Sequence, residues 1–451
     1  MLSATAFLLI FGAGLAAALF RHPVFGLYAY MAVFYVHPPS RWWAQSLPDL
    51  RWALLAAVVT LLALLIHRKK LSSGPTWITT PPAILLACYA AWLWIQNFWA
   101  LDSTAHYEAS VQFTKYLIAF YFIYRLIDSR ERLRDFLMVH VAGCAYLGIL
   151  AFYSTNFSDG RVNGVGGPGI DDANSLAMFL GTGAIAGAAL ILSQTGWRRY
   201  FSVGAMAFIM NGVVLASSRG ALLGLAAAGL VLVLLKSPGH RRLFWALAAV
   251  GVLAVGSLMD QRFIDRMFTI TAAVEHDNEI DASAETRFVL YEAQVKMFMA
   301  YPLGAGHKGT AVLSPLYMDE KWMTRDASGL PSSLARSSHN TFLTTLVEQG
   351  VPGSVLFLCL VGWVLGSLIR VRNWHQQAVE PAQVTMVAAL CAAIFLILVA
   401  GLTTDYLMAE IQFWLLAALA ASFAALRVPT KVEVATRGAI PVVPLESSRS
   451  R

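Results

Sequence analysis

Ionisable side chains stand at the borders of apolar runs at two places in this sequence. Arg219 lies between two apolar runs, in the letters SSRG, and His339 directly precedes another, in SSHNTF. A charged residue at membrane depth is costly and indicates function by default. An arginine at a helix N-terminus is locally unfavourable unless an anion binds there, and phosphate is the natural anion. The alternative is that Arg219 only extends to the interface at the end of a membrane span.

His339 is the candidate for proton transfer. We expect it in the first turn of a helix that enters the membrane, one turn before Phe342 and Leu343. The positive end of a helix dipole disfavours the imidazolium, which leaves a neutral ring able to accept a proton near pH 7. The alternative is a capping contact at the interface. We favour the chemical role because Arg219 is predicted at the same membrane face.

A third polar feature surrounds Arg161. The glycine-rich letters NGVGGPG follow it, and then Asp172, Asn174 and Ser175 offer caps for the next helix. An ordinary surface turn with a solvated arginine explains this pattern as well as a binding role does. Both interpretations stay open here.

A fourth polar feature is the stretch 284–301, AETRFVLYEAQVKMFMAY. Its apolar residues Phe288, Tyr291, Val295 and Phe298 recur at helical spacing, which predicts an amphipathic helix on the membrane surface. Arg287 falls on or near the polar side of that helix. The glycine-rich letters PLGAGHKG follow, but no strand pattern precedes them, so they indicate a tight turn and not a nucleotide-binding loop.

Together these residues suit one class of reaction. A neutral histidine would take the proton of an attacking hydroxyl, while arginines would bind a pyrophosphate leaving group and stabilise its growing charge. Arginines can supply that charge without a metal. Acidic residues leave a metal open, although they form no compact ligand pattern; they are Asp102, Glu108, Asp171 and Asp172.

The composition indicates a polytopic membrane protein. The 451 residues are 58% hydrophobic and 13% charged, and the mean hydropathy is +0.61. Soluble domains carry about a quarter charged residues. The net charge of +7 fits basic cytoplasmic loops and gives no reason to expect nucleic acid. The four cysteines lie inside apolar runs, with no metal or disulfide spacing.

We predict an all-α fold with about twelve transmembrane helices. The apolar runs that predict them lie at residues 4–20, 24–36, 52–66, 83–99, 111–127, 136–153, 173–192, 201–216, 221–235, 244–259, 341–369 and 384–426. The first two runs are short, and we do not expect each to cross fully, which leaves both chain ends in the cytoplasm. The alternative is an N-terminus outside and one more span. The last is too long for one span, and Thr403–Asp405 near its middle predicts a turn.

Basic connectors orient the helices. Arginine and lysine clusters at 67–70, 130–134, 198–199, 236–242, 370–372 and 427–431 are expected to face the cytoplasm. The predicted organisation is N-terminal transmembrane helices at 1–259, a long periplasmic loop at 260–338, C-terminal transmembrane helices at 339–426, and a disordered cytoplasmic tail at 427–451. The N-terminal apolar run is expected to be an anchor and not a cleaved signal.

Several of these stretches resemble the O-antigen ligase and O-antigen polymerase superfamily. They are TRFVLYEAQVKMFMAYPLGAGHKG, SHNTFLTTLVEQGVPG, SSRGALLG and RVNGVGGPGIDDANSLAMFL, and the resemblance extends over residues 83–426. The most specific part is the His-Asn-Thr-Phe segment. Near the start, FRHPVFGLYAYMAVFYVHPPSRWW is most similar to the branch of exosortase-associated O-glycosylation ligases.

The resemblance implies a membrane glycosyltransferase with a GT-C-like fold in the bacterial inner membrane and its active site facing the periplasm. Such an enzyme transfers a glycan from undecaprenyl pyrophosphate with inversion and without a metal cofactor. Matching the motifs makes His339 the catalytic residue and Arg161, Arg219 and Arg287 the contacts to pyrophosphate or glycan, with Asn340 and Ser218 supporting the site. His307 is not carried over.

The acceptor is the main open question. We expect lipid A–core oligosaccharide, because there is a single long outer loop near the C-terminus and no second one of similar length. The alternatives with the same donor are an O-antigen chain polymerase and a protein O-glycosylation ligase. A polysaccharide transporter is a different class, and it would be expected to show internal repeats and helices broken at the midplane, which the sequence does not indicate.

Overall fold

The computed structural model describes residues 2–71, 75–158, 160–235, 282–319, 337–374 and 380–425, together with isolated positions elsewhere. Helices dominate this part of the chain, and the predicted all-α class is confirmed. Two short antiparallel hairpins accompany them, β1 (Phe157–Ser158) with β2 (Arg161–Val162) and β3 (Thr324–Arg325) with β4 (Pro331–Ser333).

The helices of the first half follow the predicted apolar runs. They are α1 (Leu2–Phe20), α2 (Val24–Val36), α3 (Trp52–Ile66), α4 (Pro81–Gln96), α5 (Ser103–Leu126), α6 (Arg130–Phe152), α7 (Ala173–Ser193), α8 (Trp197–Ala216) and α9 (Arg219–Leu235). Polar caps set several starts. Asp102, Ser129 and Asp172 accept hydrogen bonds from backbone N–H groups in the first turns of α5, α6 and α7. Of the three candidate caps before α7, Asp172 is the one that serves.

The described helices of the second half lie in the long loop and after it. They are α10 (Ala282–Ala300), α11 (Gly309–Tyr317), α12 (Thr341–Thr344), α13 (Gly350–Asn373), α14 (Pro381–Ala400) and α15 (Glu410–Ala425). A π-helical turn, Thr345–Gln349, joins α12 to α13. The long apolar run at 384–426 divides into α14 and α15, so the turn predicted at Thr403–Asp405 is confirmed.

Length and apolar composition make this chain a multi-pass membrane protein. In the described part of the chain, six helical stretches are long and apolar enough to cross a membrane: α1, α6, α7, α8, α12 with α13, and α14. The shorter apolar helices α3, α4, α9 and α15 accompany them. The total of about twelve spans stays a prediction, because the run at 244–259 lies largely outside the described residues, as does the predicted tail at 427–451.

The centre of the bundle is α7, of which nearly every residue is buried. Beside it, α9 and α14 approach closely because glycines leave room for the facing backbone. A Cβ on Gly224 would lie 2.7 Å from the carbonyl oxygen of Leu396, and a Cβ on Gly220 would overlap Thr403 Oγ1. Small residues at contacts of this kind let membrane helices pack. The contact at Gly220 brings the start of α9 against the turn that follows α14.

Residues 282–319, here called the loop unit, have a small core of their own. Leu290, Ala293 and Met297 of α10 pack together and against Val347 of the π-helical turn. The helix predicted at 284–301 is therefore confirmed. Two apolar residues that predicted it, Phe288 and Val295, lie on a different face and are exposed to 71% and 50%. Contact of that face with a membrane surface stays a prediction.

Backbone pairing fastens the loop unit to the membrane helices. The N–H groups of Ala305 and Gly306 donate to the carbonyl oxygens of Val347 and Glu348, each at 2.9 Å. Gly350 has φ 63°, and a Cβ there would strike the backbone of the loop unit. The tight turn predicted at 302–309 is thus joined to the π-helical turn by backbone hydrogen bonds. This pairing fixes how the long loop meets the start of α13.

Candidate functional site

His339 and Asn340 lie where the long loop ends and α12 begins. Asn340 is the N-cap of α12, and its side-chain oxygen accepts hydrogen bonds from the N–H groups of Phe342 and Leu343 at 2.9 and 3.1 Å. The prediction that His339 lies in the first helical turn is therefore wrong. Because Asn340 caps the helix, the half-buried His339 stands one residue before the cap, outside the helix.

The residues on either side of His339 are held in place. Gln294 of α10 donates from Nε2 to Ser338 Oγ at 2.9 Å, and Ser338 Oγ donates in turn to the carbonyl oxygen of Asn340 at 3.2 Å. Both Gln294 and Ser338 are buried. The loop unit and the cap of α12 therefore both fix residues 338–341, here called the His339 segment.

The turn between α14 and α15, residues 401–407, is fastened to the first residue of α12. The Thr341 N–H donates to the carbonyl oxygen of Gly401 at 2.7 Å, and Thr341 Oγ1 donates to that of Thr404 at 3.1 Å. The N–H of Tyr406 donates back to Thr341 Oγ1 at 2.9 Å. Three hydrogen bonds on one threonine thus hold the 401–407 turn against the His339 segment.

Arg161, Asn174 and Ser218 meet on the other side of this turn. Arg161, on β2, donates from Nε to the carbonyl oxygen of Ala216 at 3.1 Å and from Nη2 to Asn174 Oδ1 at 2.6 Å. Ser218 Oγ donates to the same Asn174 Oδ1 at 2.9 Å. Here the three residues are called the Arg161 group. Two predicted site residues that lie 57 positions apart in the sequence, Arg161 and Ser218, are thus joined through Asn174.

Tyr406 connects the Arg161 group with the His339 segment. Its hydroxyl donates to the carbonyl oxygen of Asn174 at 3.0 Å, while its N–H contacts Thr341 as described above. The side chain is only 3% exposed. Burial raises the pKa of Tyr406, so the phenol keeps its proton and remains a donor. Tyr406 therefore connects Asn174 of the Arg161 group to Thr341, two residues after His339.

Arg219 is the first residue of α9, where the sequence predicted a helix start. Ser217, directly before this corner, has a left-handed backbone with φ 46°. That conformation reverses the chain between α8 and α9 and leaves Arg219 half-buried at the helix N-terminus. The close contact of Gly220 with Thr403 sets this helix start against the 401–407 turn.

Arg287 lies on α10, and its backbone alone is described. One turn further along α10, the hydroxyl of Tyr291 donates to the carbonyl oxygen of Leu402 at 3.3 Å. Asn340 Nδ2 donates to the same carbonyl oxygen at 3.2 Å. The helix that carries Arg287 therefore reaches the 401–407 turn, and a contact of Arg287 itself with a substrate stays a prediction.

A cluster of ionisable residues that we did not predict lies beside the site. His307 Nδ1 is 3.4 Å from a carboxyl oxygen of the buried Glu348, and Asp405 Oδ1 accepts from the N–H of Leu407 at 2.9 Å. Burial and then the charge of Glu348 raise the pKa of Asp405 to about 7. Burial lowers the pKa of His307, but the hydrogen bond and charge of Glu348 outweigh this and raise it.

Two further helices close around this cluster. The N–H of His307 donates to His106 Nδ1 on α5 at 2.8 Å, and Gln96 at the end of α4 donates to the carbonyl oxygen of Glu348 at 3.1 Å. One signal for the cluster is present in the sequence. Glu348 is a charged residue inside an apolar run, which indicates a specific role by itself. Its partner His307 comes from a distant turn, and no local pattern pairs the two.

Two of the four acidic residues considered as metal ligands are helix N-caps. Asp102 and Asp172 accept backbone hydrogen bonds at the starts of α5 and α7. Among the residues that the structure describes, no group of three or more histidines, cysteines or acids is placed to hold a metal ion. Metal-independent chemistry remains a prediction that activity must test.

These features define a class: a multi-pass α-helical membrane protein with a polar site where several helix ends meet one turn. The family model Wzy_C, described as O-antigen ligase, matches residues 203–358. This segment contains Ser218, Arg219, Arg287, His339 and Asn340. The match confirms the resemblance to the O-antigen ligase and polymerase superfamily, whose members are glycosyltransferase-like enzymes acting on lipid-linked glycans. No curated protein matches the chain.

Proposed function

We propose that this protein is an O-antigen ligase that transfers a glycan from undecaprenyl pyrophosphate to a sugar hydroxyl of lipid A–core oligosaccharide. The reaction takes place at the periplasmic face of the bacterial inner membrane. The observation that carries the proposal is that the Arg161 group and the His339 segment both meet the 401–407 turn. The matched family segment supports the same reaction class.

In this reaction the acceptor hydroxyl attacks the anomeric carbon from the side opposite the pyrophosphate. The new glycosidic C–O bond forms as the C–O bond to pyrophosphate breaks, so the configuration inverts. The hydroxyl proton passes to the imidazole of His339, and undecaprenyl pyrophosphate leaves with the bonding electron pair. His339 stands one residue before the N-cap of α12, on a segment that the hydrogen bonds of Ser338 and Asn340 hold in place for this step.

The arginines stabilise the leaving group. Arg161 shares the acceptor Asn174 Oδ1 with Ser218, and Arg219 directly follows Ser218 in the chain. Both arginines stand close to helix N-termini, where anions are favoured. Guanidinium groups bind phosphate oxygens in pairs and so neutralise the charge that grows as the bond breaks. Arg287 is the third proposed contact, on α10, the helix that reaches the 401–407 turn through Tyr291. No metal is required by this scheme.

The acceptor is the substrate that distinguishes the proposed reaction from the reactions of other members of the superfamily. A polymerase uses a second lipid-linked glycan, and a protein O-glycosylation ligase uses a serine or threonine hydroxyl. All three reactions have the same donor and the same base. The first experiment must therefore offer each acceptor separately.

The test is transfer by the purified full-length protein in nanodiscs with EDTA present. Undecaprenyl-pyrophosphate-linked glycan is the donor, and lipid A–core, additional lipid-linked glycan or a serine-rich peptide is the acceptor. We expect product with lipid A–core for the wild type and a loss of at least about a hundredfold for His339→Ala. His67→Ala is the control, because His67 is the C-cap of α3, at the end of that helix predicted to face the cytoplasm.

The outcomes separate the parts of the proposal. Transfer to a different acceptor overturns the ligase assignment and keeps the mechanism. Full turnover by His339→Ala overturns the role of His339 as base. Activity that appears only when EDTA is omitted and a divalent cation is added overturns metal independence. Absence of transfer to all three acceptors, from folded wild-type protein, overturns the proposed function.

A further inference from the structure

We propose that Asn174 and Tyr406 are positioning residues that hold the Arg161 group and the His339 segment in one register across the 401–407 turn. The inference rests on the proposed function and names residues that the reaction scheme above does not use. Neither residue is required to touch the substrate. Each acts through the groups that it holds.

Asn174 is the point where three segments of the chain meet. Its single side-chain oxygen accepts from Arg161 Nη2 at 2.6 Å and from Ser218 Oγ at 2.9 Å. Its carbonyl oxygen accepts from the hydroxyl of Tyr406 at 3.0 Å. An amide oxygen orients the guanidinium without adding a negative charge. A carboxylate in the same place would orient it equally well but would repel a bound anion.

Tyr406 spans the distance between the Arg161 group and the His339 segment. Its hydroxyl reaches α7, and its backbone N–H donates to Thr341 Oγ1 at 2.9 Å at the start of α12. Its carbonyl oxygen accepts from Gln412 Nε2 of α15 at 3.1 Å. The residue is buried, so these hydrogen bonds are protected from water. A residue held by its side-chain hydroxyl at one end and by its backbone at the other transmits the position of α7 to the His339 segment.

This register matters because inversion is an in-line reaction. The pyrophosphate and the base must lie on opposite sides of the anomeric carbon, so an error in either position misaligns the attack. A misplacement of about 1 Å costs roughly a hundredfold in rate. The donor can still bind to the arginines when the base is displaced. Loss of the Tyr406 hydroxyl should therefore lower kcat more than it raises the KM for the donor.

The main test compares Tyr406→Phe with Tyr124→Phe. Both hydroxyls donate to a backbone carbonyl oxygen at 3.0 Å, to Asn174 and to Pro75, and both side chains are buried to 5% exposure or less. Only Tyr406 is at the site. We expect kcat for Tyr406→Phe to fall roughly tenfold or more with less than about a twofold change in donor KM, while Tyr124→Phe keeps the wild-type kcat.

Equal losses in the two variants would mean that a buried hydroxyl contributes only to general stability, and the positioning role would be overturned. A wild-type kcat for Tyr406→Phe would overturn it as well. Thermal unfolding of each variant in detergent is measured alongside, so that a fall in kcat is compared at equal folded fraction.

Substitutions at Asn174 test the other half of the inference. Asn174→Ala removes the shared acceptor, and we expect the donor KM to rise roughly tenfold because Arg161 and Ser218 lose their common partner. Asn174→Asp restores an acceptor of the same shape but adds a negative charge beside the anion. It should recover the thermal stability and leave the donor KM raised. Recovery of the wild-type KM by Asp would show a structural role alone.

A double variant shows whether the two residues act together. If Tyr406 and Asn174 hold one register, the effects of Tyr406→Phe and Asn174→Ala on kcat/KM should be less than multiplicative, because the first substitution already breaks the connection. Independent, multiplicative effects would contradict the shared register. An inactive wild type, in contrast, would be a failure of the proposed reaction and would be visible before any variant is compared.

Discussion

Arg219 stands where physical chemistry disfavours a cation, at the N-terminus of a helix. A bound anion would make the position favourable, and a guanidinium would then contribute both charge and a planar pair of donors. The corner that carries it is set by the left-handed Ser217 and by the neighbouring Ser218, which donates to Asn174. The shape of the corner thus points to recognition of an anion with defined geometry.

We predict that Arg219→Ala weakens donor binding about tenfold or more and slows transfer, and that Arg219→Lys restores little of either. A lysine keeps the charge but presents a point charge in place of the fork. Kinetics at varied donor concentration measure both effects. Arg198→Lys is the control, because Arg198 lies near the start of α8 and stacks on Trp197. Complete rescue of Arg219→Ala by lysine would indicate simple charge at the membrane interface.

The sequence predicted candidate site residues but not the connections between them. Arg161, Ser218 and Asn340 were predicted and come together around the 401–407 turn. Asn174 was considered only as a cap, and Tyr406 was not singled out. The Tyr406–Asn174 bond joins residues 232 positions apart. Such a pairing depends on how whole helices pack, and one sequence contains no local signal for it.

At the scale of elements, the helices were largely predictable because a membrane helix must be apolar along its whole length. The predicted runs at 24–36 and 52–66 coincide with α2 and α3. The π-helical turn Thr345–Gln349 was not predicted. It depends on backbone pairing with the loop unit at Ala305 and Gly306, which is again a long-range contact.

The contact between α9 and the 401–407 turn can be tested with one methyl group. A Cβ on Gly220 would overlap Thr403 Oγ1 and lie 3.2 Å from Thr403 Cβ, whereas a Cβ on Gly229, on the same helix, would meet nothing within 4 Å. We predict that Gly220→Ala lowers transfer and destabilises the protein by about 1–3 kcal/mol. Gly229→Ala should leave transfer unchanged. Transfer assays and thermal unfolding measure the two effects.

Removing the obstructing atom should reverse the first effect. Gly220→Ala combined with Thr403→Ala makes room for the added methyl group, so transfer should recover towards the level of Thr403→Ala alone. If Gly220→Ala is as active as Gly229→Ala, the close approach of α9 to the turn has no part in placing the site. If the double variant recovers nothing, overlap with Thr403 is not the cause of the loss.

At the scale of the whole molecule, the loop unit and the membrane helices share a cluster of ionisable residues around the buried Glu348. His307 belongs to the loop unit, Glu348 to the π-helical turn and Asp405 to the 401–407 turn. The positive charge of Lys308 lowers the pKa of His307 and so opposes part of the effect of Glu348. Desolvation of the Asp405 carboxyl, and then the charge of the buried Glu348, favour retention of a proton and raise the pKa of Asp405 to about 7. Because His307 belongs to the loop unit, we expect the packing of that unit to depend on proton binding at this cluster.

The sign of this linkage follows from the two raised pKa values. Folding raises the pKa of Asp405 from 3.8 to about 7 and raises that of His307 above 6.5, so the folded protein binds protons more tightly than the unfolded chain. The stabilisation is complete below about pH 4 and declines as the pH rises to 7 and above. One pKa unit corresponds to about 1.4 kcal/mol, so the decline should be visible in thermal unfolding.

We predict that the midpoint of thermal unfolding in detergent falls from pH 5 to pH 8 in the wild type and falls less in Asp405→Asn. Asparagine keeps an oxygen for the N–H of Leu407, which Asp405 Oδ1 accepts at 2.9 Å, but it carries no charge at any of these pH values. Asp49→Asn, at an exposed aspartate, is the control and should follow the wild type. Parallel curves for the wild type and Asp405→Asn would exclude Asp405 as the group that couples the loop unit to pH.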